Sequence, residues 1–415
     1  MKSFLIKGRI SNISESEGLF MKKAVEKIAS MMHQADPTAC FSIEFWDGDL
    51  LNFGDDPEVS LCLKTEDACR KIIANGFSGL AEAYAAGEIE IENDIQTLLR
   101  LGLAIAFEKN RMPLLEKLRF AAVSHLNRGS LWRAPKNIAH HYDLGNDFYA
   151  CYLDETMTYS CAYFKKASDS LYQAQLNKYE HIARKLMLQP DESLLDIGCG
   201  WGGMLIYAAQ HYGTFGTGIT LSKNQYDYAT SKIAELGLSD RVRILYADYR
   251  KLTGTFDKVV SIGMFEHVGQ KFIPVFFKQV SRLLKKGGLG LLHTIGKFAP
   301  SDTDPWIVNY IFPGGYLPML YEIDREMAKA GFFILDFENL RLHYAETLDR
   351  WSANFEQNIQ KIKKLLPNKQ IRRWRMFLNA SAAGFRYGDL QLFQTLFSNG
   401  RNNSLPMTRD HIYRD

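Results

Sequence analysis

The stretch that decides the fold is LLDIGCGWGG, residues 194–203, which runs into the helical pattern MLIYAAQHYG. An apolar run that ends in a glycine-rich turn before a helix is typical of the first strand of a nucleotide-binding α/β fold. Glycines at this turn let the backbone approach a ligand that a side chain would obstruct. Residues 194–203 therefore predict a ligand crevice at the end of a buried strand.

Strands and helices alternate after this stretch. Beside the strand at 193–198, we predict strands at 216–220, 242–248, 257–263 and 287–296. The alternation indicates an α/β fold, a Rossmann-like domain with a mostly parallel, doubly wound sheet. Ligands of such sheets bind beyond the carboxyl ends of the strands. One polar residue stands at or after each of these ends: Asp196, Thr220, Asp248, Glu266 and His293.

A smaller α+β domain is predicted at residues 1–108, before a basic amphipathic linker at 109–139 and a catalytic domain at 140–415, because 415 residues exceed one typical domain. The segment FSIEFWDGDLLNFG, residues 41–54, alternates around Asp47-Gly48, a hairpin dipeptide. Residues 79–107 have a helical pattern that breaks at Gly87 and restarts after Asn93-Asp94. We expect this domain to support lipid binding or dimerisation and to carry no catalytic residues.

Composition limits the classes of function. Hydrophobic residues at 46% and charged residues at 23% exclude a disordered chain, and a net charge of +3 gives no reason to expect a nucleic-acid partner. The longest apolar runs, such as 103–107, are far below the ~20 residues of a membrane span. The first residues lack the pattern of a secretory signal, so we expect a cytoplasmic protein. The spacing of the six cysteines predicts neither a disulfide nor a zinc site.

The motif D-I-G-C-G-x-G-G at 196–203 resembles the first motif of class I S-adenosylmethionine-dependent methyltransferases. HYDLGNDFYACYLDETMTYSCAYF (141–164), SIGMFEHVG (261–269) and YIFPGGYLP (310–318) closely resemble the cyclopropane-fatty-acyl-phospholipid synthase family. GITLSKNQ (218–225) and LLHTIG (291–296) match it as well. The resemblance covers about residues 140–394, and the N-terminal domain is similar to that of the bacterial phospholipid enzymes of the family.

The resemblance implies a specific reaction. The family inserts the methyl carbon of S-adenosylmethionine across a cis double bond of an acyl chain esterified in a phospholipid. The resulting carbocation loses a proton to a bound bicarbonate before water captures it. The residues that match the bicarbonate site are the side chains of Glu266, His293 and Tyr344 and the backbone amides at Cys161 and Ile295. A homodimer is also implied.

The residues predicted to bind the cofactor are Tyr159, Ser160, Asp196, Gly198, Gly200, Thr220, Leu221, Gln225, Asp248 and Tyr249. By resemblance, Tyr159 and Ser160 close over the methionine end of the cofactor. The acid that often holds a ribose at the end of the second strand is missing. Either Gln225 and nearby backbone groups hold the ribose, or the ligand is not a nucleoside. Asp248 stands where an adenine amino group could be accepted.

Two basic stretches, 109–136 and 361–375, combine lysines and arginines with apolar residues. Such stretches favour peripheral attachment to the anionic inner face of a membrane. The alternatives are a helix that packs one domain on the other, for 109–136, and a solvated basic helix face, for 361–375. Trp374 is predicted to lie at the membrane interface.

Other functions remain open at this stage. A fatty-acyl methyltransferase that leaves a methyl or methylene branch, a small-molecule methyltransferase and a non-catalytic lipid- or nucleoside-binding protein are the alternatives. One departure from the family is Ser381 in NASAAGF (379–385), where many relatives carry a cysteine. Thiol reagents are therefore expected to act mainly through Cys161 or Cys199, if they act at all. His267 is predicted to point away from the site.

Overall fold

The computed structural model describes residues 2–105, 144–300 and 303–413, with side chains from residue 18 onward. The basic stretch 109–136 lies outside the described residues. The chain divides into two compact units. The described part of the first comprises residues 2–105, 304–306 and 363–383, and that of the second comprises 144–300, 303, 307–362 and 384–413. Residues 363–383 thus belong to the first unit, although the sequence places them in the catalytic domain.

The first unit contains a four-stranded sheet with strand order β2-β1-β3-β4. Its strands are β1 (Phe41–Glu44), β2 (Leu50–Phe53), β3 (Val59–Leu63) and β4 (Ile89–Asn93), and its first three helices are α1 (Lys2–Ala35), α2 (Glu66–Ala86) and α3 (Ile95–Ala104). The predicted hairpin is present, because β1 and β2 pair antiparallel with Phe41 opposite Phe53. Gly87 caps α2 with a φ of 78°, and the Asp94 side chain caps α3. The strand β4 between these caps was not predicted.

The second unit contains a seven-stranded sheet with the order β10-β11-β9-β8-β5-β6-β7. Its strands are β5 (Ser193–Ile197), β6 (Phe215–Thr220), β7 (Val242–Tyr246), β8 (Phe256–Ile262), β9 (Leu284–Gly296), β10 (Phe332–Asn339) and β11 (Gln391–Asn399). Strands β5 to β9 are parallel and correspond to the five predicted strands. The sequence missed β10 and β11, which pair antiparallel at one edge.

Helices cover both faces of this sheet, as the predicted class I methyltransferase fold requires. In chain order, the helices that follow α3 are α4 (Asn146–Tyr149), α5 (Leu171–Leu186), α6 (Gly203–Tyr212), α7 (Lys223–Glu235), α8 (Ile273–Leu283), α9 (Pro305–Tyr310), α10 (Leu320–Lys329), α11 (Arg341–Gln357), α12 (Ile359–Leu365), α13 (Asn368–Tyr387) and α14 (Asp410–Tyr413). Of these, α9, α12 and α13 include residues of both units. Neighbouring strand residues alternate between the faces: Leu194 packs with α5, α6 and α7, whereas Leu195 packs with α8 and α10. Among the described helices, none has the length and apolar composition needed to cross a bilayer.

The second basic stretch is only partly a surface feature. Lys361, Lys363, Lys364 and Lys369 are exposed. Trp374, however, is 3% exposed, so its predicted place at a membrane interface is wrong. Arg372 is also buried: its guanidinium donates to the carbonyls of Tyr84 and Ile89 and to Glu90 at 2.8 Å. This part of the stretch stabilises the first unit because it satisfies carbonyls at the junction of α2 and β4.

The Arg372→Gln variant is expected to lose about 1–3 kcal/mol of unfolding free energy, because two buried carbonyls would lose their charged donor. Urea unfolding followed by tryptophan fluorescence measures this loss. The control is Lys369→Gln, which removes an exposed charge from the same helix and is expected to stay within about 0.5 kcal/mol of the parent. Equal stability of the two variants would contradict the structural role of Arg372.

Candidate active site

A cavity lies at the carboxyl ends of the parallel strands, where the sequence predicted a ligand crevice. All ten residues predicted to bind the cofactor line it: Tyr159, Ser160, Asp196, Gly198, Gly200, Thr220, Leu221, Gln225, Asp248 and Tyr249. These residues come from four separate segments of the chain. The fold brings them together because parallel strands end at the same edge of the sheet.

The glycine turn after β5 forms one wall of the cavity. The amides of Gly198 and Cys199 both donate to the carbonyl of Ile219, at 2.9 and 3.0 Å, which ties the turn to β6. Gly198 has a φ of 85°, and a Cβ built on it would lie 2.4 Å from Met264 Cγ. Gly200 has a φ of 54°, and nothing lies within 4 Å of a Cβ built there. The backbone of Gly200 is therefore directly accessible from the cavity.

Two buried ionisable groups line the same cavity, Lys178 on α5 and Asp196 at the end of β5. Burial lowers the pKa of Lys178 to about 7 and raises that of Asp196 to about 7, while the attraction between the two charges opposes both shifts. Lys178 Nζ donates to Ser160 Oγ at 3.0 Å, and Asp196 Oδ1 has no hydrogen-bond partner. Lys178 and Asp196 thus offer one basic and one acidic group in a part of the cavity that excludes water. Each can pair with the opposite charge of a zwitterionic ligand.

The residues after β6 and β7 are held by local hydrogen bonds. The Thr220 hydroxyl accepts from the Ser222 amide and donates to Gln225 Oε1 at 2.7 Å. Both carboxylate oxygens of Asp248 accept from Arg250, at 2.9 and 3.0 Å from Nε. Burial would raise the pKa of Asp248, but these bonds outweigh it and lower the pKa. Asp248 would have to share an oxygen with Arg250 to accept a ligand amino group as well.

The residues predicted to hold the proton acceptor form a second cluster beside the cavity. Glu266 is 8% exposed, its Oε1 accepts from the Ile295 amide at 2.6 Å, and its Oε2 has no partner. Burial raises the pKa of Glu266 to about 7, and the Ile295 bond opposes the shift. The resemblance assigned the Ile295 amide to the bicarbonate ion, whereas here it orients the glutamate.

His293 lies two residues before Ile295 on the same face of β9. It is 1% exposed, its Nδ1 is 3.1 Å from Gln394 Nε2, and its Nε2 has no partner. Burial, together with the positive charges of Lys178 and Lys185, lowers the pKa of His293 well below its usual value. The carbonyl of His293 accepts from the Gly263 amide at 2.9 Å, so this cluster adjoins the wall of the cavity.

Cys161 and Tyr344 are the two remaining residues of the predicted set. Cys161 Sγ lies 3.9 Å from the carbonyl of Leu340, the residue before α11, and the next amide, that of Ala162, donates to Thr347 Oγ1 at 3.0 Å. Tyr344 and Thr347 lie one turn apart on α11. Burial raises the pKa of Cys161 and lowers that of His293, and the positive charge of Lys178 acts to lower both pKa values.

Aromatic rings surround the Tyr159 end of the site. Tyr159 stacks on Trp351 with 5.1 Å between ring centroids, and Tyr344 meets Trp351 edge-on at 6.0 Å. Tyr149 and Tyr152 complete the group, with centroids 5.4 and 6.3 Å from that of Tyr159. Electron-rich ring faces tolerate a nearby cation better than aliphatic groups do.

Sequence reasoning missed Lys178 and misplaced His267. Lys178 and Lys185 lie seven residues apart on the buried face of α5, so two lysines at apolar spacing were the available signal. His267 was expected to point elsewhere, but it lines the cavity, and burial lowers its pKa to about 4. The short helical turn Phe265–His267 explains the error, because in a turn neighbouring side chains do not alternate as they do in a strand.

The expectation for thiol reagents stays a prediction, and the structure indicates that both thiols react slowly. Cys161 is 0% exposed and Cys199 is 7% exposed, and burial raises the pKa of both thiols. Thiols with raised pKa values are poor nucleophiles. Cys40 and Cys62, in the first unit, are the two cysteines with intermediate exposure.

Comparison with known protein families identifies the family of this chain. The family model described as mycolic acid cyclopropane synthetase matches residues 130–395. The chain belongs to this family. It is a class I S-adenosylmethionine-dependent methyltransferase. A second model, a domain of unknown function (DUF7884), matches residues 28–110.

Alignments with two relatives cover most of the chain. A probable fatty acid methyltransferase of Pseudomonas putida is 36% identical over 90% of this chain and 96% of its own length. The cyclopropane-fatty-acyl-phospholipid synthase of Escherichia coli is 39% identical over 84% of this chain and 90% of its own. The crystal structure of mycolic acid cyclopropane synthase CmaA1 with SAH and CTAB has a TM-score of 0.61 and 35% identity, covering 64% of this chain and 98% of that one.

Proposed function

We propose that the chain transfers a methylene group from S-adenosylmethionine across a cis double bond of an unsaturated phospholipid acyl chain to form a cyclopropane ring. The observation that carries the proposal is the cluster of Glu266, His293 and Ile295 next to the cofactor cavity. It contains two buried polar atoms without partners, Glu266 Oε2 and His293 Nε2. Methyl transfer to an amine needs no group of this kind, because an amine leaves no carbocation that must be deprotonated.

The residues of the cavity fit the cofactor. When bound, S-adenosylmethionine supplies an electrophilic methyl carbon. Its amino-acid end carries one positive and one negative charge, which Asp196 and Lys178 can complement, together with Ser160. The exposed backbone of Gly200 gives the close approach that a nucleoside requires. Gln225 and Thr220 line the cavity where the ribose acid of other families would stand.

The second cluster fits a small oxyanion that carries one proton. A bound bicarbonate would supply the proton acceptor that ring closure requires. The unpartnered His293 Nε2 can donate to such an ion, and the unpartnered Glu266 Oε2 can accept its proton. We assign Tyr344 and the Cys161 amide to the same ion by family resemblance. The Ile295 amide keeps the Glu266 carboxylate in one orientation. Burial of Glu266, His293 and Cys161 keeps water away from an electron-deficient carbon.

Transfer of label from S-[methyl-¹⁴C]adenosylmethionine tests the substrate class. Full-length protein is incubated with vesicles of monounsaturated phosphatidylethanolamine or with matched saturated vesicles, and the lipid is then hydrolysed. We expect label in fatty acids released from the unsaturated lipid alone. Label in the headgroup fraction, or equal label from saturated vesicles, would contradict the proposal.

A second product is favoured by one relative. The Pseudomonas putida protein, which matches 90% of this chain, is described as a probable fatty acid methyltransferase. After methyl transfer, the same carbocation gives a methylene branch if a hydride shifts and the transferred carbon then loses a proton, or a methyl branch beside a double bond if a neighbouring chain carbon loses the proton. Gas chromatography of the labelled fatty esters separates these isomers, and a branched ester as the main product would establish this alternative.

The protein is further proposed to act as a homodimer attached peripherally to the inner face of the membrane, with the N-terminal domain supporting lipid binding or dimer formation. Exposed lysines of the stretch 361–375 support membrane attachment, because each basic residue near an anionic surface contributes up to ~1 kcal/mol. The dimer rests on family resemblance, and sedimentation equilibrium tests it.

Replacing Lys361, Lys363, Lys364 and Lys369 with glutamine is expected to weaken binding to phosphatidylglycerol vesicles about 10-fold, because the attraction is electrostatic. Added salt should weaken binding of the parent in the same way. Vesicle co-sedimentation measures both effects. The control replaces four other exposed lysines, Lys166, Lys251, Lys271 and Lys278, so that the net charge is equal. Equal losses in the two variants would show that net charge, not this stretch, directs binding.

A further inference from the structure

His293 is joined to a chain of buried polar side chains on β9, β10, β11 and α5. Lys185 Nζ donates to Gln394 Oε1 at 2.9 Å and to Glu338 Oε2 at 2.5 Å. Gln394 Nε2 in turn lies 3.1 Å from His293 Nδ1. Gln394 is directly opposite His293 in the β9–β11 pairing, so the sheet itself holds the two side chains together.

The direction of each hydrogen bond follows from the donor inventory. A lysine ammonium group has three donors and no acceptor, so the atom of Gln394 that faces Lys185 must be its oxygen. The other end of the amide is then an NH₂ group, which only donates. Nδ1 of His293 must therefore accept, and a ring nitrogen that accepts carries no proton. In a neutral imidazole the proton is then on Nε2.

The surroundings keep the ring neutral. His293 is 1% exposed, and Lys185 is 0% exposed, so the positive charge of Lys185 acts on the ring through little solvent. Glu338 balances that charge: burial would raise its pKa, but His181 and Lys185 outweigh this and lower it to about 2. His181 Nε2 also lies 2.7 Å from Glu338 Oε2, so the carboxylate is held from two sides.

The other ring nitrogen of His293, Nε2, carries the proton in this tautomer. His293 Nε2 is buried and has no partner, and Glu266 Oε2 is buried and has none either, so the two atoms do not bond to each other. A donor on Nε2 needs an acceptor there, because an unmade buried hydrogen bond is costly. A protonated Nδ1 would instead leave a lone pair at Nε2, which would repel the oxygen of an anion.

We propose that Gln394, oriented by Lys185, holds His293 in the neutral tautomer with the proton on Nε2, so that its single N–H is directed at the proton-acceptor site. This inference deepens the proposed function and rests on it for the identity of the acceptor. Gln394 and Lys185 are positioning residues, since neither lines the cofactor cavity. Their effect is to fix which ring nitrogen donates.

Nitrogen-15 NMR of full-length protein labelled with ¹⁵N-histidine tests this inference, because the two ring nitrogens of an imidazole differ in shift according to which one carries the proton. The His293→Gln variant identifies the His293 signals. We expect Nε2 protonated and Nδ1 unprotonated in the parent. In Gln394→Glu a carboxylate replaces the NH₂ donor, so Nδ1 should become protonated. Lys185→Met frees the amide to rotate and should also populate the Nδ1-protonated form.

The matched control is Gln391→Glu, which adds the same charge on β11 at a buried glutamine that bonds to Asn339 and Asp389 instead. It should leave the His293 signals unchanged. Turnover of Gln394→Glu should fall ~10²-fold with the KM for S-adenosylmethionine unchanged. A parent with Nδ1 protonated, or variants with parent-like His293 signals, would overturn the inference. The tautomer result stands separately from the proposed function, which fails if no label reaches unsaturated acyl chains.

Discussion

Replacing Glu266 with glutamine is expected to lower turnover by ~10²–10⁴-fold, the usual cost of losing a positioned proton acceptor or its partner. The amide keeps the shape of the side chain, but one of its two ends becomes an NH₂ donor that cannot accept a proton. Affinity for S-adenosylmethionine should change little, because Glu266 does not line the cofactor cavity. Single-turnover kinetics and calorimetry of cofactor binding measure the two quantities separately.

The dependence on pH gives a second readout of the same prediction. Because burial raises the pKa of Glu266 to about 7, its carboxylate forms only as the pH rises through this value. Parent turnover should therefore increase across neutral pH. The Glu266→Gln variant should show a smaller change over this range, to which Asp196 and Lys178, with pKa values also of about 7, still contribute. The control is Glu326→Gln, a glutamate that pairs with Arg325 and Lys329 and lies outside the cavity lining. Near-parent turnover of Glu266→Gln would contradict its role.

Bicarbonate removal tests the partner of Glu266. Turnover of the parent should fall in buffer freed of carbon dioxide and recover when bicarbonate is added. His293→Gln and Tyr344→Phe should each be impaired, and less than additively with Glu266→Gln, because all three side chains would contact one ion. Full activity in protein verified to be free of the ion would show that the proton leaves by another route.

The Gly198→Val variant is expected to bind S-adenosylmethionine ~30-fold more weakly than the parent. A side chain at this φ of 85° is strained, and its Cβ would lie 2.4 Å from Met264 Cγ, so either the turn or Met264 must move into the cavity. The backbone strain lowers stability, whereas the displaced turn or Met264 occupies space that the cofactor needs. Relieving such overpacking costs about 2 kcal/mol, which corresponds to ~30-fold in affinity. Calorimetry on the folded variant measures the change.

The control for this variant is Gly213→Val, at a residue with a similar φ of 65° at the end of α6. A Cβ there meets only Pro190, at 3.8 Å, and Gly213 does not line the cavity. It should lower stability through backbone strain and leave cofactor affinity near the parent value. Unchanged affinity in both folded variants would remove the glycine turn from the cofactor site.

Much of the catalytic unit could be predicted because local patterns and global fold agree there. Each of the five parallel strands contains apolar residues and alternates with a helix or turn pattern, and the carboxyl ends carry the polar residues that line the cavity or the adjoining cluster. The edge strands β10 and β11 were missed for a physical reason. The strand β11 pairs antiparallel with β9, and β10 pairs antiparallel with β11. Both pairings join segments far apart in the chain, so no crossover pattern marks them.

Single residues were harder to predict than elements. Lys178, Lys185 and Arg372 are charged, and charged side chains are mostly exposed, yet all three are at most 9% exposed here because each has buried polar or charged groups nearby. Those groups come from distant parts of the chain: Gln394 and Glu338 for Lys185, and Tyr84 and Ile89 for Arg372. Composition along 361–375 therefore indicated a basic surface where the fold buries part of the stretch.

Ring formation on an acyl chain requires that the transferred carbon lose one proton. The isotope content of the product measures this loss directly. The protein is incubated with unsaturated phospholipid vesicles and S-adenosylmethionine labelled with a ¹³CD₃ methyl group, and the released fatty esters are separated by gas chromatography and weighed by mass spectrometry. We expect a cyclopropane ester whose ring contains ¹³CD₂, because the transferred methyl group loses its third deuterium on ring closure. A product that keeps ¹³CD₃, on a headgroup amine or elsewhere, would contradict it.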